Sequence, residues 1–171
     1  TGIIAESFFP GLLEDHQTIA GFAQQWSEYK NCLNLAFQAS KSEPTSAKET
    51  LEWMKSTDSM IRYWAAQLVL NQETPEQKLI SQLEQMTKDS ELAVVCSAAE
   101  ALIQHGRQEL AKNALLKGLG RPISEPESVA ILNLLIRQKW TKDIPEEWFK
   151  SQKGKDSKYL DRLEAQIKKM E

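Results

Sequence analysis

At 171 residues, with 41% hydrophobic and 26% charged residues, the chain has the makeup of a globular domain long enough to bury a core. A formal charge of −3 is not the basic footprint of a nucleic-acid binder, and no apolar run approaches the ~18 residues needed to cross a bilayer. Two cysteines, Cys32 and Cys96, do not make a disulfide framework. The opening Thr1-Gly2-Ile3-Ile4-Ala5 lacks the basic and long apolar segments of a signal peptide. It also lacks an initiator Met, which reads as a piece of a longer polypeptide.

Along the chain, Phe8-Phe9-Pro10-Gly11 reads as a turn or extended stretch, because Pro and Gly oppose helix continuation. A helical pattern then runs from Gln17 to Ser40 through Ile19, Phe22, Trp26, Leu33 and Leu35-Ala36, as one helix or two. Residues 42–45 form a loop. Ser46-Ala47-Lys48-Glu49 is a capping box that opens a helix through Leu51 and Met54. Asp58 caps the next, whose Ile61, Trp64-Ala65 and Leu68 share one face. Thr74-Pro75-Glu76-Gln77 combines a cap with Pro at the first helical position. Asp89 or Ser90 starts a helix ending at Gly106, a natural left-handed stop. Residues 107–117 form a helix that Gly118, Gly120 and Pro122 break, and Ser124-Glu125-Pro126-Glu127 caps another, through Val129, Leu132 and Leu135-Ile136. No sustained alternation or hairpin signal supports a strand. After Trp140 the composition turns charged around Trp148-Phe149, and Tyr159-Leu160, Leu163, Ile167 and Met170 pattern an amphipathic helix.

One spacing organises these elements. Asp58, Ile61 and Ala65-Ala66 return at a constant offset as Glu91, Val94 and Ala98-Ala99. A period of about 33 residues filled with helical patterning marks stacked helix pairs, each unable to bury its apolar stripe alone. The chain is therefore expected to be all-α: a short α-solenoid of antiparallel helix pairs. Residues 1–45 would be an N-terminal cap region. Three pairs would fill 46–138 (46–55 with 58–71, 75–88 with 90–105, 107–118 with 124–138), and 139–171 would be a tail with a capping helix.

No catalytic constellation is visible. His16 and His105 have no Cys or carboxylate at metal-ligand spacing, and no phosphate-binding loop or Gly-x-Ser-x-Gly elbow occurs. Cys32 and Cys96 sit among apolar helical neighbours without a basic partner, which favours inert buried thiols. The carboxylate pairs Glu146-Glu147 and Asp156/Asp161 lie in charged, solvated stretches. Arg62 is suited to bracing neighbouring helices or loops through charged hydrogen bonds. Of five tryptophans, Trp64 reads as core, whereas Trp148 and Trp53 are the candidate contact surface. No cofactor or metal is expected.

The string Asp58…Ile61-Arg62-Tyr63-Trp64-Ala65-Ala66, then Ala98-Ala99-Glu100-Ala101-Leu102 and Gly106, resembles HEAT-like repeats of the armadillo-type class. More narrowly, it resembles the helical C-terminal extension of many secreted bacterial sulfatases, and Asn133-Leu134-Leu135 is similar to its third repeat. The match covers roughly residues 32–138, with Asp58, Ile61, Arg62, Trp64, Ala65, Ala66, Val94, Ala98, Ala99, Leu102 and Gly106 as its structural signature. Val95 departs from it, standing where Arg62 stands one repeat earlier. Sulfatases of that family use a formylglycine made in a Cys/Ser-x-Pro-x-Arg motif, with calcium; this chain has no such motif, so no catalytic residue carries over. The resemblance implies a non-catalytic accessory domain packed on the catalytic domain of the same polypeptide, in the periplasm or outside the cell. The alternative is an independent scaffold binding another protein. Neither reading involves nucleic acid or membrane insertion.

Overall fold

Three N-capping residues, Ser46, Asp58 and Ser124, act where the sequence places them. In a computed structural model of the chain, which describes residues 30, 32–41, 45–152 and 165, every regular element among the described residues is a helix. Helix α1 covers residues 32–41. It is followed by α2 (Ala47–Met54), α3 (Ser59–Leu70), α4 (Gln77–Met86), α5 (Leu92–Gln104), α6 (Gln108–Leu119), α7 (Glu125–Arg137), a 3-10 turn (Thr141–Asp143) and α8 (Glu146–Gln152). The expected turn at 8–11, the helical pattern before residue 30 and the amphipathic segment at 159–170 lie outside the described residues, apart from helical Ala165.

The caps explain the starts. Ser46 accepts from the Glu49 amide at 3.2 Å while its hydroxyl donates to the Glu49 carboxylate at 2.8 Å. Asp58 accepts from the Met60 amide at 2.8 Å, and the Ser124 amide donates to Glu127 at 2.8 Å. Two starts differ from expectation. Helix α4 opens at Gln77 rather than at Pro75, with Glu76 in extended backbone and no side-chain cap. Helix α5 opens after Glu91, because the Asp89 carboxylate is engaged by Arg62 and stands too far upstream to cap it.

Helices α5 and α7 end alike. Gly106 takes a φ of +76° and Lys139, one period on, a φ of +59°. After each helix the same two bonds form: Gly106 N–H to Ile103 O (3.2 Å) with Arg107 N–H to Leu102 O (2.8 Å), and Lys139 N–H to Ile136 O (2.9 Å) with Trp140 N–H to Leu135 O (2.8 Å). This paired closure satisfies the last carbonyls and favours glycine at the left-handed position. Gly118, by contrast, lies inside α6 and does not break it. A Cβ there would meet Ile131 Cδ1 at 3.0 Å and Leu92 Cδ2 at 3.3 Å, so its missing side chain lets α6 press against its neighbours.

Packing centres on α5. It meets α3 most extensively and also packs on α4, α6 and α7; α2 packs on α3 and α4, and α6 on α7. Nine of its thirteen residues are buried, from Leu92 through Leu102, so it is apolar nearly all round, as an enclosed helix must be. Ala65 and Ala66 of α3, and Ala98 and Ala99 of α5, are fully buried in the main cluster. A second, smaller cluster joins Leu35 and Ala39 of α1 to Leu68, with Trp53, Ile61 and Trp64 half-buried around it. A fully buried aliphatic side chain contributes roughly 1.5–3 kcal/mol, so the main cluster carries the fold and α1 is held more lightly.

Enlarging this interior has a definite cost. Ala98→Leu is expected to destabilise the protein by roughly 1–3 kcal/mol, because the added carbons have no void to enter; the urea midpoint measures it. Lys139→Gly is expected to stabilise by about 0.5–1 kcal/mol, the left-handed strain removed less the added chain entropy, and the same measurement checks it.

Candidate functional site

The polar side chains that cross between helices concentrate at the two ends and along one partly exposed edge of α3, α5 and α7. At the end where α3 and α5 begin, Arg62 forms a bidentate pair with Asp89: Nε to Oδ2 at 2.8 Å and Nη2 to Oδ1 at 2.9 Å. Its Nη1 donates to the carbonyls of Ser56 and Thr57, both at 2.9 Å. Arg121, in the connection before α7, donates from Nη1 to the Asp89 carbonyl at 2.7 Å and to the Ser90 carbonyl at 3.4 Å. Positions 56 and 57 stand one period before 89 and 90. Equivalent carbonyls are thus served twice, by Arg62 from its own helix and then by Arg121 from the next connection. Val95, fully buried at the position equivalent to Arg62, has no donor to offer.

The turns before α3 and α5 also match. The Asp58 amide donates to Ser56 Oγ at 3.1 Å and the Glu91 amide to Asp89 Oδ1 at 3.0 Å. Burial pushes the Asp89 carboxyl up, but the Arg62 hydrogen bonds, the Glu91 amide and the guanidinium charge outweigh it and hold it below its ordinary value.

Along the edge, Gln67 donates to Ser97 Oγ at 2.9 Å, and the buried Ser97 hydroxyl donates to the Tyr63 carbonyl at 3.0 Å. Arg137 of α7 pairs with Glu100 of α5. Burial, then the nearby Glu100 charge, pushes the Tyr63 phenol up to about 12, so it is neutral across the physiological range. At the far end the His105 ring meets the Val69 carbonyl at 2.9 Å and Asn71 donates to the Ala39 carbonyl at 2.7 Å.

The signature residues divide by role. Asp58 caps α3; Ala65, Ala66, Val94, Ala98, Ala99 and Leu102 are fully buried; Gly106 closes α5. Ile61 and Trp64 pack only half-buried against α1, and Trp64 meets Tyr63 edge-on at 5.2 Å. Of the candidate contact residues, Trp148 keeps 8% of its surface and belongs to the main cluster, while Trp53 is half-buried between the two clusters. Neither stands free as an aromatic platform. Sequence reasoning missed Arg121, because it falls outside the repeat register of Arg62 and no local pattern marks it.

Among the described residues no group of three His, Cys, Asp or Glu side chains could hold a metal ion. Burial, with the Asp58 charge, pushes the Cys32 thiol up to about 11, and burial pushes Cys96 up to about 12, so both are protonated at neutral pH. No helix among the described residues is long and apolar enough to cross a membrane. Comparison with protein-family models, curated proteins and solved structures finds no match.

A carboxyl held below its unfolded value stabilises the fold above that value and loses the contribution as pH falls through the folded one. Asp89→Asn is therefore expected to lower the urea midpoint at pH 7, with the gap to wild type narrowing only below about pH 4. A gap unchanged down to pH 2 would place the effect elsewhere than in the Arg62 pair.

Proposed function

We propose that this chain is a non-catalytic helical-repeat domain, a short HEAT-like α-solenoid whose role is to be packed against by a protein. By resemblance, we place it as the accessory domain of a bacterial sulfatase, lying on the catalytic domain of the same polypeptide and exported with it. One observation carries the contact role. The sequence period recurs as equivalent turns before α3 and α5, equivalent closures after α5 and α7, and arginines on equivalent carbonyl pairs. Units built this way present a continuous, partly exposed edge along their second helices, here Gln67, Glu100 and Arg137. The sulfatase assignment rests on the resemblance of sequence strings, chiefly Ile61-Arg62-Tyr63-Trp64-Ala65-Ala66, with Ala98-Ala99-Glu100-Ala101-Leu102 and Asn133-Leu134-Leu135 beside it.

The parental gene and a binding measurement test the two parts separately. Upstream sequence is expected to encode a Cys/Ser-x-Pro-x-Arg motif; a complete upstream frame without it ends the sulfatase assignment. The separately produced catalytic portion is expected to bind this chain in titration calorimetry. Glu100→Arg, which reverses the sign opposite Arg137, is expected to weaken that binding about tenfold. Two pieces that ignore each other end the contact role on that domain.

A further inference from the structure

We propose that Asp89 is a two-sided clasp that makes the three helix pairs open as one unit, Arg62 holding its carboxylate from the first pair and Arg121 its carbonyl from the third. The first grip is a bidentate pair with bonds of 2.8 and 2.9 Å, its two side chains only 15% and 10% exposed. Charged hydrogen bonds of this shielded, planar kind are about twice as strong as neutral ones. The second grip is a 2.7 Å bond from Arg121 to the backbone of the same residue. Both converge on the connection 87–91, between the two helices of the middle pair.

The packing explains why this point matters. The core that α3 and α5 share includes the fully buried Ala65, Ala66, Ala98 and Ala99, whose side chains bury little area each. The third pair reaches the second broadly only through α5. The third pair therefore meets the middle pair along one helix and could swing about it, while the first meets it along two, α3 on α5 and α2 on α4. At the far end, His105 already holds α3 to α5 through the Val69 carbonyl. With that end fixed, the Arg62–Asp89 grip is what stops the near end of α3 from lifting, and Arg121 does the same for the third pair. Local openings in a protein occur in cooperative units set by such contacts.

Native-state hydrogen exchange on the full chain, read by mass spectrometry, tests this. In wild type, α3, α5 and α7 are expected to share one level of protection. Asp89→Ala, which removes the carboxylate but keeps the main-chain carbonyl, is expected to lower protection in α3 at least about tenfold more than in α5 and α7, and Arg121→Ala to do so in α7 alone. Should Asp89→Ala fail to fold, Arg62→Ala keeps the 87–91 connection unaltered and is expected to release α3 alone. Arg137→Ala, which breaks only the exposed pair with Glu100, is expected to leave the shared level undivided. The proposal is overturned by a uniform loss across the three helices in the Asp89, Arg62 and Arg121 variants, by unequal levels in wild type, or by the same split in Arg137→Ala.

Discussion

Helix α5 has to fit between four other helices, and that constraint shapes most of the chain. A helix enclosed on nearly every side cannot keep a polar face, which is why Leu92 to Leu102 is apolar apart from Ser97, its one buried hydroxyl, and Glu100 on the partly exposed edge. It cannot be bulky on the side facing α3 either, since two helices approach closely only where side chains are short. The fully buried Ala65, Ala66, Ala98 and Ala99 keep α3 and α5 slim, and Gly118 lets α6 press against Leu92 and Ile131. The larger residues, Leu83, Leu102, Leu115 and Ile131, fill the space left between these close approaches.

Short side chains give close packing but little buried area, so directional bonds at the helix ends become worth more to the alignment of the helices. Arg62 and Arg121 work at one end, His105 and Asn71 at the other. Ser97 shows the same economy inside: it takes a bond from Gln67 and gives one to the Tyr63 carbonyl, so burying it leaves its hydroxyl satisfied in both roles. Helix α1 stands apart from this scheme. Its cluster is small, and Leu33 and Phe37 are exposed on its other side, with Lys41 over the Phe37 ring.

What could be read from the sequence was local. Caps at Ser46, Asp58 and Ser124, the stop at Gly106 and the helical spacing of apolar residues each act within one turn of where they stand, so the helices were legible from residues alone. What could not be read depended on partners distant in sequence. Asp89 reads as a helix cap until Arg62, a full helix upstream, takes its carboxylate. Gly118 reads as a breaker until Ile131 and Leu92 are seen against it. Arg121 reads as an ordinary loop residue, since nothing in its neighbourhood marks the carbonyls it serves, which lie on the far side of α5 and α6 in the chain. Trp148 lies in a stretch of charges that suggests solvent, yet Ile144 and Trp148 turn inward together. The edge of Gln67, Glu100 and Arg137 was likewise not visible beforehand, because it is assembled from three helices.

The substitution of one arginine for another has a bearing on how such a chain can be edited. With Val95 in place of a donor, the carbonyls of Asp89 and Ser90 rely on a residue belonging to the following unit. The helix pairs are therefore not interchangeable: excising the last would strip those oxygens of their guanidinium, and a copy of the first placed directly before it would bring two arginines onto one pair of carbonyls.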